Sequence, residues 1–175
     1  MRTKILMMAA WIISLPFLPI SVLAGGPTAA GLWAQSNDEG RVEGWFLLFK
    51  KDGVYEGALV KMFLKPGEDP NPICRKCPGD QKDLPSLGLV MIKGMQRKGL
   101  AYENGTILDP RDGSVYRARM EVSPDGQRLT VRGYLGIPLF GKSQVWMRLP
   151  DDQLKAEEVP PNLVSYVPLK GRSGG

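Results

Sequence analysis

Three kinds of side chain in this 175-residue chain could do chemistry: two thiols, scattered carboxylates and a stripe of arginines. The thiols, Cys74 and Cys77, enclose Arg75 and Lys76 in a Cys-x-x-Cys unit. Such a unit works as a redox centre when it opens a helix after a strand, where the helix terminus lowers the pKa of the first thiol. Here Pro72 and Pro78 flank it in a proline-rich stretch with no β–α–β pattern. A structural disulfide is the favoured reading and a redox role the alternative. Zinc needs more ligands than two sulfurs, and the chain has no histidine to supply them. The missing histidine also removes Ser-His-Asp and Cys-His catalysis and haem ligation. An enzyme would have to work with carboxylates, Lys, Tyr or the thiols. Asp109 sits in an Asp-Pro-Arg-Asp-Gly turn, where an Asp commonly caps its own backbone. Glu43 and Glu56 fall in expected strands without the spacing of an acid/base pair. No catalytic residue, metal ligand or cofactor is assigned on this basis.

The elements that must position these groups are short β-rich runs between turn signals. Expected strands cover Gly31–Gln35, Val42–Phe49, Val54–Phe63, Leu87–Ile92, Ser114–Val122, Gln127–Tyr134 and Ser143–Leu149. Lys51-Asp52-Gly53 and Ser123-Pro124-Asp125-Gly126 read as hairpin turns. Lys65–Pro85 holds five prolines and cannot be a central strand, so it is expected as a long loop carrying the cysteines. Lys93–Gly99 reads as a connection and Leu100–Tyr102 as a short extended piece. In the hairpin around Pro124, alternation puts Tyr116, Ala118, Met120, Val122, Leu129 and Val131 on one face. The other face carries Arg117, Arg119, Glu121, Arg128 and Arg132. One buried and one wet face is the signature of an antiparallel sheet. The pattern implies one all-β domain, a sandwich or a closed barrel.

The N-terminus sets the compartment. Met1-Arg2-Thr3-Lys4 is a short basic start, Ile5 to Ile20 is apolar, and Ser21-Val22-Leu23-Ala24 offers a small-residue cleavage site. These are the parts of a signal peptide over 1–24, cut near Ala24, and the apolar run is short for a spanning helix of roughly 20 residues. The mature chain is expected to be periplasmic or secreted, with no transmembrane anchor after cleavage and with conditions that favour the disulfide. Residues 25–30 read as a flexible lead-in, 31–149 as the β domain, and 150–175 as a polar, Pro-rich C-terminal tail, packed around Leu163 to Leu169 and disordered at its end. Cleavage removes Arg2 and Lys4, so the charge of +5 falls to about +3. That is too mild to argue for nucleic acid.

Gly31-Leu32-Trp33 in the first strand and Arg148 in the last resemble the closing pair of calycin (lipocalin-like) barrels. The resemblance implies that Arg148 packs on Trp33 and closes one barrel end. The chain also resembles a bacterial exported family, domain of unknown function 2147. The likeness runs through Gly31-Leu32-Trp33, Asn71-Pro72, Cys74-Arg75-Lys76-Cys77-Pro78-Gly79-Asp80, Leu87-Gly88-Leu89 and Gly105-Thr106-Ile107-Leu108-Asp109-Pro110 with Gly113 and Tyr116. It continues through Val131-Arg132-Gly133-Tyr134-Leu135-Gly136 and Leu139-Phe140-Gly141 to Trp146-Met147-Arg148. Tyr102 and Leu108 depart from it, standing where a Trp and an aromatic residue are expected. The resemblance implies a calycin-like antiparallel barrel and no particular activity. The leading expectation is a non-enzymatic barrel that holds a small apolar or amphipathic ligand, with Tyr116, Met120, Leu129 and Val131 along its lining. The alternative is an envelope interaction protein whose basic sheet face or cysteine loop meets an anionic envelope component. A carboxylate-based hydrolase is the weakest of the three.

Overall fold

In the computed structural model, which describes residues 26–167, the β-rich runs form eight strands. They are β1 (Gly31–Ser36), β2 (Val42–Lys51), β3 (Val54–Met62), β4 (Val90–Lys98), β5 (Ala101–Leu108), β6 (Val115–Val122), β7 (Arg128–Tyr134) and β8 (Lys142–Leu149). Each pairs antiparallel with its sequence neighbour, and β8 returns to pair with β1 through Trp33↔Arg148, so the sheet closes on itself. The barrel prevails over the sandwich, and closure leaves no unpaired sheet edge. The export signal expected over 1–24 and the chain end, 168–175, lie outside the described residues. Among the described residues no helix is long and apolar enough to cross a membrane.

Alternation decides the β6–β7 hairpin. Ala118, Met120, Val122, Leu129 and Val131 are buried in the barrel core, while Arg117, Arg119, Glu121 and Arg128 are exposed. In β2 the run Phe46-Leu47-Leu48-Phe49 is buried on both faces. Phe46 and Leu48 enter the barrel; Leu47 and Phe49 face outward with Leu32, Ala58 and Val60. The segment after β8 covers that outer patch, burying Leu154, Val159 and Leu163 on it and stacking Tyr166 on Phe49 at 4.2 Å. The packing expected around Leu163 therefore begins earlier, at Leu154: several apolar side chains leave water together, a gain of about 25 cal/mol per Å² removed.

Two further expectations are corrected. Lys93–Gly99 is not a connection, because β4 runs through to Lys98 and buries Met95 completely. Its glycine and charges hide a bulge. Tyr55↔Met95 and Gly57↔Ile92 set three steps of β4 against two of β3, with Gly94 at φ 70°. A second irregularity lies beside it in β5, where Asn104 adopts φ 63° between the Tyr102↔Met120 and Gly105↔Ala118 pairs. Bulges raise local twist, which a small closed barrel requires. The lead-in is packed over its described part: Ala29 is completely buried and donates to the Tyr102 hydroxyl, Arg97 donates to the Gly26 and Pro27 carbonyls, and Arg148 donates to the Ala30 carbonyl.

Candidate functional site

The up-and-down topology sends alternate connections to opposite ends. At one end lie the tight β2–β3, β4–β5 and β6–β7 hairpins, together with the lead-in. Arg148 ties this end together. Its guanidinium carbon lies 4.2 Å from the Trp33 ring centroid, Nε donates to the Gly126 carbonyl at 2.6 Å, and Nη1 donates to the Ala30 carbonyl at 3.0 Å. Nη2 donates to the Thr28 carbonyl. Burial lowers the guanidinium pKa from its ordinary value, against the opposing charges of Asp151 and Tyr102. Trp33 Nε1 donates to the Ala29 carbonyl at 2.8 Å, and the Ala29 N–H donates to the Tyr102 hydroxyl at 2.8 Å. Lead-in, β1, β8 and the β6–β7 turn are thus joined by charge-assisted bonds, the stronger kind. This end is shut.

The opposite end is open. Loops β1–β2, β3–β4, β5–β6 and β7–β8 surround a cavity of about 1190 Å³ that reaches into the barrel. Phe46, Leu59, Met91, Ile107, Val131 and Trp146 are among the apolar side chains of its wall. Phe46 stacks on Trp146 at 4.5 Å, fixing one side of that wall. Gly133 also lines it; a Cβ there would come within 3.2 Å of Ile107, so the missing side chain keeps β7 close to its neighbours. Of the four residues expected along a lining, the structure places Tyr116 and Val131 on the cavity wall. Met120 and Leu129 lie deeper, fully buried in the packed half that forms the floor.

The mouth is held by the Pro-rich loop. Cys74 and Cys77 are disulfide-bonded and buried, while Arg75 and Lys76 between them are exposed and line the mouth. The loop is anchored by a backbone ladder: Cys74 N–H donates to Leu84 O at 2.8 Å, Asp83 N–H to Cys74 O at 2.9 Å, and Ser86 N–H to Pro72 O at 2.8 Å. Gln81 ties it to the barrel, donating to Val90 O at 2.7 Å and accepting from Lys93 Nζ at 2.7 Å. The β5–β6 turn presses on the disulfide: Cys74 Sγ is 3.5 Å from Pro110 O, and a Cβ on Gly113 would collide with the Lys76 carbonyl. Since Gly113 also has φ 79°, no other residue suits that position well.

The carboxylates at the mouth are engaged. Asp109 accepts two bonds from the Arg111 guanidinium, at 2.9 and 2.6 Å, and that partner holds its carboxyl below the usual range. Glu43 pairs with Arg41 at 3.7 Å. On the outer sheet face Arg119 pairs with Glu103 at 3.7 Å and Arg128 with Asp125 at 4.0 Å. Arg132 donates to the carbonyls of Pro138 at 2.7 Å and Leu139 at 3.1 Å, and to the Ser143 hydroxyl at 2.7 Å. Sequence reasoning missed the mouth cations Arg41, Lys65, Arg111 and Lys142. The available signal was topological: in an up-and-down barrel every other loop meets at one end, and basic residues recur in or beside those alternate loops.

The family model described as "Uncharacterized protein conserved in bacteria (DUF2147)" matches residues 31–148, well over half of the chain. Among solved structures the chain is similar to one described as "Protein HP1028 from the human pathogen Helicobacter pylori belongs to the lipocalin family". The TM-score is 0.63 at 17% identity, and the match covers 77% of this chain and 91% of that one. At that identity the likeness concerns the fold. No curated protein matches the chain.

Proposed function

Because the chain belongs to the DUF2147 family of uncharacterized bacterial proteins and folds as a lipocalin-like barrel, we propose that it is a non-enzymatic binding protein. It takes a small apolar or amphipathic ligand into the barrel through its open end. The observation that carries this reading is the cavity of about 1190 Å³, apolar in its depth and shut at the far end. Pockets for drug-sized ligands span roughly 300–1,000 Å³, so this space is ample for one. The N-terminal basic, apolar and small-residue pattern supports action in the periplasm or outside the cell. Tyr116 and Val131 are the wall residues proposed to touch the ligand; Met120 and Leu129 support them from below. Trp33 and Arg148 close the barrel and take no part in binding.

Native mass spectrometry of the full chain, expressed with its leader and purified from a periplasmic extract, tests the reading. A stoichiometric adduct of one or a few defined masses, released on denaturation, is the expected result. Ligand-free protein that also takes up no apolar probe contradicts it.

The other two readings draw less support. On the basic sheet face Arg119, Arg128 and Arg132 are engaged within the protein, which leaves Arg117 as the cation of that stripe open to an anionic partner. A hydrolase working through Asp109 would want a carboxyl with raised pKa, and Arg111 moves it the opposite way.

A further inference from the structure

Resting on the binding reading above, we propose that the ligand is a single-chain amphiphile with an anionic head, a carboxylate or a phosphate. Arg75, Lys76 and Lys65 hold that head at the mouth while the chain enters the barrel. The charge of the rim carries the inference. The cavity is lined by six cationic residues, Arg41, Lys65, Arg75, Lys76, Arg111 and Lys142, and by three acids, Glu43, Glu68 and Asp109. Arg41 and Arg111 are matched by Glu43 and Asp109, and Lys142 by Asp38 at 3.4 Å. The remaining acid, Glu68, turns its carboxylate to the Lys65 backbone N–H at 2.8 Å. Among the described residues no ion pair within 4.0 Å holds the side chains of Lys65, Arg75 or Lys76. Among the described residues three cations thus stand outside any ion pair at the entrance of an apolar chamber, the arrangement that suits an anion joined to an apolar chain.

The disulfide gives two of these cations a fixed place. Arg75 and Lys76 are the only residues between the bonded cysteines, and both cysteines are buried. The Cys74 backbone that leads into them is pinned by the Cys74–Leu84 and Asp83–Cys74 bonds, Arg75 N–H donates to Ile73 O at 3.0 Å, and Gly113 packs against the Lys76 carbonyl. A head group meeting two side chains on a fixed backbone loses less in ordering them than one meeting them on a mobile loop. An Arg beside a Lys serves either head, because the guanidinium forks onto two oxygens while the ammonium acts as a point charge.

The test is competition against a neutral fluorophore, phenylnaphthylamine, bound to the full mature chain. Dodecanoate, dodecyl phosphate, dodecanol and dodecyltrimethylammonium are the competitors. At least one of the two anions is expected to displace the fluorophore at a concentration about tenfold lower than dodecanol. Whichever anion displaces it better identifies the head. The cation is expected to compete worst, and the preference shrinks as salt is raised. The Arg75→Gln/Lys76→Gln double variant is expected to lose that tenfold preference while its fluorophore and dodecanol affinities stay unchanged. Equal competition by anions and alcohol, or a preference that survives the double substitution, overturns the head-group assignment and leaves the binding barrel standing. Failure of the fluorophore and of all four competitors to bind overturns both.

Discussion

The two ends of this barrel are built from the same eight strands and behave oppositely. At the closed end three tight hairpins bring backbone carbonyls of the lead-in and the β6–β7 turn within reach of one half-buried guanidinium, Arg148, over Trp33. At the open end four longer connections stand around a cavity, and one of them is stiffened by a disulfide that packs on the barrel core. At the closed end Arg148 and Arg97 donate to carbonyls of the lead-in; at the open end Lys65, Arg75 and Lys76 stand outside the ion pairs of the described residues. On the proposed reading stability and binding are separated along the barrel axis, and substitutions at the two ends should separate in the same way.

The largest expected effect is at the shut end. Arg148→Ala removes the cation over Trp33 and leaves three carbonyls without their donor, a loss of about 4 kcal/mol in stability. Urea unfolding measures it, and the fraction still folded should bind the fluorophore with wild-type affinity. A loss below about 1 kcal/mol would mean that this end is held by other contacts. Next comes a paired substitution on one strand. Leu129 and Val131 both point inward from β7, two residues apart, one in the packed floor and one on the cavity wall. Leu129→Trp overfills the floor and should cost about 3 kcal/mol, whereas Val131→Trp extends into open volume and should cost under about 1 kcal/mol. Equal costs would place the boundary between floor and cavity elsewhere. The smallest effect belongs to the mouth: Cys74→Ser/Cys77→Ser opens a loop of sequence separation 3, worth about 2 kcal/mol or less by loop closure. Its main consequence should be a weakened preference for anionic amphiphiles, read by the same competition.

How much of this was legible beforehand differs between the two ends. Trp33 and Arg148 are far apart in sequence, and resemblance to calycin barrels brought them together; composition alone would have left the sandwich open. The β6–β7 hairpin was readable because its polar and apolar residues alternate strictly with a Pro-Asp-Gly turn between them. β4 was not, because its bulge places Gly94 and several charges where alternation would put core residues, and Met95 carries the burial alone in that stretch. The C-terminal segment was legible only around Leu163, for a related reason. Its buried residues, Leu154, Val159 and Leu163, are spaced among prolines and acids with no strand or helix period. The matching signal lay elsewhere, in the unbroken apolar run of β2, which demanded a cover on both faces. The cavity itself has no sequence signature. Its wall carries Phe46, Trp146 and Tyr116 beside Gly133, its floor Met120, Leu129 and Trp33, and periodicity does not register where side chains meet across the barrel and where they do not.

The measurement that bears most directly on the account is an equilibrium fluorescence titration of phenylnaphthylamine into the wild-type chain and into Val131→Trp, with folding of both checked by circular dichroism. The predicted result is saturable one-to-one binding by the wild type and at least about tenfold weaker binding by the variant, each with the same β-rich spectrum. Equal binding by the two proteins, or no binding by a folded wild type, would contradict an interior site.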